Sequence, residues 1–172
     1  MYGEVELWTT DEHRIGLKPI LRKVWAPKGQ RPHLAVYPRY EWLYLYAFVR
    51  PQTGETEWFI MPYLNTKAFQ AILELFVKTR NKHILLVMDR APWHISGKLE
   101  VPLNLSILHQ PAYSPELQPA EHLWQFSDEV LVNQCFDSID KLELSLAKQC
   151  KKLQAQSQKI SSATLFHWWP LT

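Results

Sequence analysis

The stretch HILLVMD, residues 83–89, sets five apolar side chains in unbroken succession and stops them with an acid. An amphipathic helix or a half-exposed strand would interrupt such a run with polar positions. A strand covered on both faces does not, and this is the pattern of a buried parallel strand. The residues before it supply a cover. Phe69, Ile72, Leu73, Phe76 and Val77 fall at i, i+3, i+4, i+7 and i+8, one buried helical stripe, with Asn65 or Thr66 placed to cap it. After it, NLSILHQ at residues 104–110 reads as a further short strand.

Working outward, EVELWTTDE at residues 4–12 alternates and is rich in strand formers, which predicts a strand ending near Asp11. YEWLYLYAFVR at residues 40–50 is aromatic and β-like, and PQTGE turns it into TEWFIM as an antiparallel hairpin. Between them, LKPILRKVWAPKGQRPHL has turn chemistry at Pro27-Lys28-Gly29 and reads as a basic hairpin or extended arm. A helix is predicted to start near Pro119. Another is predicted from about Ser138 to Leu153, with Ile139, Leu142, Leu146 and Leu153 inward. The order predicts an α/β chain, a mixed central sheet flanked by helices, in a single domain over residues 1–172.

Composition narrows the class. Hydrophobic residues at 47% and aromatics at 13% exclude a disordered chain, and the eight tryptophans are expected mostly in the core. Two cysteines, Cys135 and Cys150, without a CxxC pair give no zinc framework or disulfide scaffold. No run approaches the ~20 apolar residues that span a bilayer, and no signal peptide is visible, so a soluble, cytoplasmic protein is expected. The net charge of +2 is small, but its distribution is uneven. From His13 to Tyr40 there are seven basic residues and no acid: Arg14, Lys18, Arg22, Lys23, Lys28, Arg31 and Arg39. A positive run of this kind attracts a polyanion. Lys148, Lys151, Lys152 and Lys159 read equally as a second basic patch or a solvated face.

Three acids stand where chemistry gathers in α/β sheets. Asp11 closes the first strand, Asp89 closes the buried one, and Glu121 lies within LHQPAYSPELQPAEHLW, residues 108–124, in the first turn of the helix that follows its proline loop. Pro111, Pro115 and Pro119 recur every fourth residue in that stretch and fix a rigid path ahead of Glu121. Carboxylates from separate elements converge on hard divalent cations. Each acid alone is also an ordinary turn residue or helix cap, and spacing leaves both readings open. No HExxH, GxxxxGK[ST], GxSxG or GxGxxG motif is present. His94 reads as a phosphate contact or a cap, His13 as a surface loop residue, and Trp168-Trp169 as a packing anchor.

Three blocks, TTDEHRIGLKPILRKVWAPKGQRP, LLVMDRAPWH and LHQPAYSPELQPAEHLW, resemble the signature blocks of DDE transposases. The similarity is to the mariner superfamily and its bacterial insertion-sequence relatives, the IS-six-thirty group. The blocks come in the family's order, and the last is the most specific, since its prolines, Ser114 and Trp124 match along with the acid. The resemblance implies a ribonuclease H-like fold in which the first and fourth strands lie side by side. It implies Asp11, Asp89 and Glu121 as the catalytic, metal-holding triad for two Mg²⁺ or Mn²⁺ ions, with Glu12 and Glu116 as neighbours. The implied activity is metal-dependent DNA cleavage and strand transfer. A ribonuclease H-like nuclease without strand transfer and a silent DNA-binding or assembly module are the alternatives. Double-stranded DNA is the implied partner, tracked by Arg14, Lys18, Arg22, Lys23, Lys28, Arg31 and His94. The family's N-terminal helix-turn-helix region has no counterpart in the sequence, so a separate helix-turn-helix subunit or upstream reading-frame product is expected, along with a homodimer. The chain departs from the family at Gln118, where Asn is usual, and at Arg90, where a small polar residue is common.

Overall fold

The computed structural model describes residues 4–33 and 39–171. Its centre is a five-stranded sheet in the order β3-β2-β1-β4-β5. The strands are β1 (Val5–Gly16), β2 (Trp42–Arg50), β3 (Glu55–Met61), β4 (His83–Met88) and β5 (Leu105–His109). β1 pairs with β4, and β4 with β5, in parallel; β1–β2 and β2–β3 are antiparallel. The buried run at 84–88 is therefore an inner parallel strand, as its composition requires.

Helix α1 (Thr66–Lys78) is capped by the Asn65 side chain, which accepts from the Ala68 N–H. Its apolar stripe covers one face of the sheet, packing Phe69, Ile72, Leu73 and Phe76 onto Trp8, Tyr46, Phe48, Ile84, Leu86 and Met88. On the other face lie α3 (Ile139–Gln154) and α4 (Ser157–Thr164). There Leu142, Leu146 and Cys150 meet Ile15, Leu43 and Leu45, while Leu153 and Ile160 meet Ala47 and Val49. Helix α4 was not anticipated, because its eight residues carry only Ile160 as a large apolar anchor. Its place is fixed at the β2–β3 turn, where Ser161 Oγ donates to the Pro51 carbonyl at 2.8 Å. Gly54, at φ +72°, passes so close to Ser157 that a Cβ would fall 1.8 Å from its carbonyl oxygen. No helix among the described residues is long and apolar enough to cross a membrane.

Several expectations are corrected. β1 does not end near Asp11 but runs to Gly16, because β2 continues to pair with it through Gly16↔Trp42 after β4 has stopped. His13 is therefore a strand residue, its ring stacked on Trp124, and not a surface loop residue. The basic segment is an exposed arm over residues 21–33 with one turn, in which the Gln30 N–H reaches the Pro27 carbonyl around Gly29 at φ +87°. Of the anticipated arm and basic run, residues 34–38 lie outside the described residues. The helix at Pro119 is a 3-10 turn (Pro119–Leu123), one α turn, α2 (Trp124–Ser127), and a second 3-10 turn (Asp128–Val130). The first turn tightens to 3-10 geometry, with the Trp124 N–H bonded to the Glu121 C=O. Of the tryptophan pair, Trp169 is buried against Leu7 and Val87 while Trp168 is half-exposed.

Candidate active site

The parallel pairing of β1 with β4 ends at Thr9↔Val87, two residues before Asp11. From there β1 keeps β2 on one side and opens its other edge, and the gap is where the three acids meet. Asp11 and Glu12 are successive strand residues and point to opposite faces. Asp11 lies across from Ala47, on the α3/α4 face, and Glu12 across from Tyr46, on the α1 face. Asp11, Asp89 and Glu121 line one cleft together with Arg90, Gln110 and Tyr113. Glu12 and Glu116 are not among its lining residues.

Asp89 follows the last residue of β4. Its Oδ1 accepts from the Ala91 N–H at 3.0 Å and lies 2.7 Å from His94 Nδ1. Asp11 is fixed from the other side by the Trp124 indole, whose N–H reaches its Oδ2 at 3.3 Å.

Glu121 is carried by the proline block, and the block is tied to the open edge of β1. Gln118, only 3% exposed, does most of this. Its Nε2 donates to the Thr10 carbonyl at 2.9 Å, an edge acceptor beyond the last β4 pair. Its Oε1 accepts from the Thr9 hydroxyl and from the Ala120 N–H, so the same amide caps the turn that holds Glu121. Gln110 extends β5 through its N–H to the Met88 carbonyl and donates its side chain to the Leu117 carbonyl. Tyr113, between Pro111 and Pro115, sits at φ +59°, a strained conformation of the kind that gathers at functional sites. The positions of Gln110 and Gln118 as struts were not anticipated. The signal was present at Gln118, a departure inside the most specific block.

The electrostatics fit a site built for cations. Burial pushes the Asp11 carboxyl up to about 7, with the Glu121 and Asp89 charges adding to the rise. Burial raises Glu12 to about 8, with Asp11 and Asp89 adding. Glu121 is raised by burial and by Asp89. Asp89 is lowered, first by its bond to His94 and then by the Ala91 N–H. Carboxylates that disfavour one another's charge in a shared cleft are hard oxygen donors in want of a counter-cation, and this donor set fits Mg²⁺ or Mn²⁺. Among the described residues, no group of three or more His, Cys, Asp or Glu side chains is preassembled into a metal cage.

Of the basic residues expected to meet DNA, Lys18, Arg22, Lys23, Lys28 and Arg31 are exposed, four of them on the arm. Arg14 is exposed on β1 with its guanidinium 4.4 Å above the Trp42 ring. His94 is different. It is 2% exposed, enclosed between Asp89 and Glu12, and cannot reach a phosphate backbone. The apolar cover of Phe69 over its ring, 4.4 Å between centroids, accounts for the burial.

An acid just past the end of β1's parallel pairing with β4, a second directly after β4, a third on a packed turn and the order β3-β2-β1-β4-β5 define a ribonuclease H-like fold. The chain belongs to the DDE superfamily endonucleases, whose family model matches residues 6–143. It is 35% identical over 130 residues to the uncharacterized protein y4pE/y4sA of Sinorhizobium fredii (strain NBRC 101917 / NGR234), covering 74% of this chain and 96% of that protein. Among solved structures it is similar to the Mos1 strand transfer complex, with TM-score 0.61 and 20% identity over 95% of this chain and 56% of that one. The catalytic domain of Mos1 mariner transposase superposes with TM-score 0.54 and 16% identity over 95% of this chain and 84% of that domain. The Mos1 paired end complex with Mg matches with TM-score 0.62 and 21% identity over 92% of this chain and 56% of that one. The chain thus spans about half the length of the Mos1 chains in these complexes.

Proposed function

We propose that the chain is the catalytic domain of a transposase, a divalent-metal-dependent DNA endonuclease and strand transferase. One observation carries this reading: three carboxylates from distant points in the sequence, Asp11, Asp89 and Glu121, line a single cleft beside the ends of parallel strands. Membership in the DDE endonucleases and the likeness to Mos1 complexes solved with Mg and with Mn support it.

Asp11, Asp89 and Glu121 hold two divalent cations in this reading. Bound there, the cations lower the pKa of an attacking water or 3′-hydroxyl and neutralise charge on the leaving oxygen. The chain's own groups do the rest. The Trp124 and His94 rings each fix one oxygen of an aspartate, which limits carboxylate rotation before substrate arrives. Arg90, on the cleft wall beside Asp89, binds a phosphate oxygen of the strand being cut. The proline block holds Glu121 against the cleft without helix propagation. Water attack nicks the element end, and attack by the freed 3′-hydroxyl joins it to a target.

Arg22, Lys23, Lys28 and Arg31 on the arm, with Arg14 and Lys18, track the DNA backbone. Such contacts position DNA without reading its sequence. A helix-turn-helix subunit or an upstream reading-frame product recognises the element ends, and a homodimer pairs them. The reaction takes place in the cytoplasm, on the nucleoid.

The test is cleavage of supercoiled plasmid with Mg²⁺ or Mn²⁺. The wild type nicks it, while Asp89→Asn does not yet retains DNA binding. Wild-type protein that binds DNA but neither nicks nor takes up metal would favour a silent DNA-binding module instead.

A further inference from the structure

His94 has its side chain wholly enclosed, with a carboxylate at each ring nitrogen. Nδ1 stands 2.7 Å from Asp89 Oδ1, and Nε2 stands 3.5 Å from Glu12 Oε2. The Nε2 and Oε2 atoms are both buried, and neither has a hydrogen bond. The ring is gripped rather than placed by chance. Phe69 packs on it at 4.4 Å and Trp93 stands edge-on at 5.9 Å between centroids, and the His94 backbone N–H closes a turn onto the Ala91 carbonyl at 2.8 Å. That turn also brings the Ala91 N–H to Asp89 Oδ1, so both bonds on this carboxylate fall on one oxygen. Oδ2 is the oxygen left to the cleft.

We infer that His94 is a positioning residue: it clamps Oδ1 of Asp89 from inside the fold, with Glu12 as the buried carboxylate behind its other nitrogen. The inference rests on the metal reading of the cleft and adds a support for it. A carboxylate bonded twice at one oxygen cannot rotate freely, so the other oxygen is presented to the cleft in one orientation. Glu12 restrains the ring from the far side of β1, because it points to the α1 face while Asp11 points to the cleft. The DE pair at residues 11–12 thereby serves two faces of one strand: Asp11 enters the cleft, and Glu12 braces the ring that orients Asp89.

The ring geometry supplies a discriminating pair of substitutions. Asn in place of His keeps a donor near the Nδ1 position, while Gln keeps one near Nε2. The readouts are Mn²⁺ affinity, followed by the electron paramagnetic resonance of free Mn²⁺, and melting temperature without metal. His94→Ala and His94→Gln should weaken Mn²⁺ binding by about 10- to 100-fold, the usual cost of losing a group that orients a ligand. His94→Asn should bind like the wild type. A folded His94→Ala that binds Mn²⁺ as tightly as the wild type overturns the clamp, as does a folded His94→Asn as weak as His94→Ala. A further readout needs neither metal nor variant. Imidazole ¹⁵N shifts of the wild-type chain should show a proton on His94 Nδ1, and a bare Nδ1 overturns the inference. Wild type that binds no Mn²⁺ while keeping that proton would sink the metal reading and leave the Asp89–His94 clamp standing.

Discussion

The Trp124 indole N–H donates to Asp11 Oδ2 at 3.3 Å, and the same indole is stacked on His13 with 5.1 Å between ring centroids. His13 in turn reaches Asp128 through Nε2 at 3.1 Å. A residue at the end of the proline block therefore holds the acid in the middle of β1, and the stack keeps the indole in register. Trp124→Phe retains the ring and loses the donor. Plasmid cleavage should fall by about 10-fold, in the range for losing a bond that orients a ligand, with the melting temperature near wild type. Unchanged cleavage would remove Trp124 from the site.

Glu121 and Glu116 lie five residues apart on the same block, but only Glu121 lines the cleft. Glu121→Gln should abolish cleavage and weaken Mn²⁺ binding, while Glu116→Gln should leave both close to wild type. Parallel plasmid assays on the two variants check the ranking.

The carboxyls of Asp11 and Glu12 are raised from 3.8 to about 7 and from 4.5 to about 8. Between pH ~4 and ~8 the folded chain thus binds more protons than the unfolded chain, whose carboxyls ionise near 4. The stability these two groups contribute is present below pH ~4 and lost as pH rises through 7 to 8. Asp89, lowered, acts only below its ordinary value, as pH falls. Metal-free protein should therefore melt at falling temperature from pH 5 to 8.5, and Mg²⁺ should raise the melting point more at pH 8 than at pH 5.5. Asp11→Asn should flatten the slope. Thermal melts across pH with and without Mg²⁺ decide it.

Gln118 joins β1 to the block through the Thr10 carbonyl and the Thr9 hydroxyl. Gln118→Ala leaves buried polar groups without partners and should cost about 1–3 kcal/mol by urea unfolding. Gly54→Ala meets both a left-handed backbone and the Ser157 carbonyl, and should cost at least about 1–3 kcal/mol from the strain alone. Cleavage per folded molecule should drop for Gln118→Ala and hold for Gly54→Ala, which is remote from the cleft.

The strand at 84–88 and the helix at 66–78 were legible because each has one period and one face, and local pattern decides them. The β2–β3 hairpin was legible from its turn. The end of β1 was not, since it depends on how far β2 keeps pairing after β4 stops, a fact of tertiary register. The broken helix at 119–130 escaped for a similar reason: proline chemistry predicted a start but not how few α bonds would follow. At the site, the three acids stood out by position and by family resemblance. His94 did not yield its place, because a lone histidine after a strand carries no periodic signal. Its burial comes from Phe69, 25 residues earlier in the chain.

The central claim is that Asp11, Asp89 and Glu121 form one cation-holding site. A crystal of the chain soaked in Mn²⁺ and measured at the manganese edge tests it most directly. The account predicts anomalous peaks in the cleft in contact with the Asp11 and Asp89 carboxylates, lost in Asp89→Asn. A cleft without peaks at saturating Mn²⁺, or peaks that persist in Asp89→Asn, would contradict it.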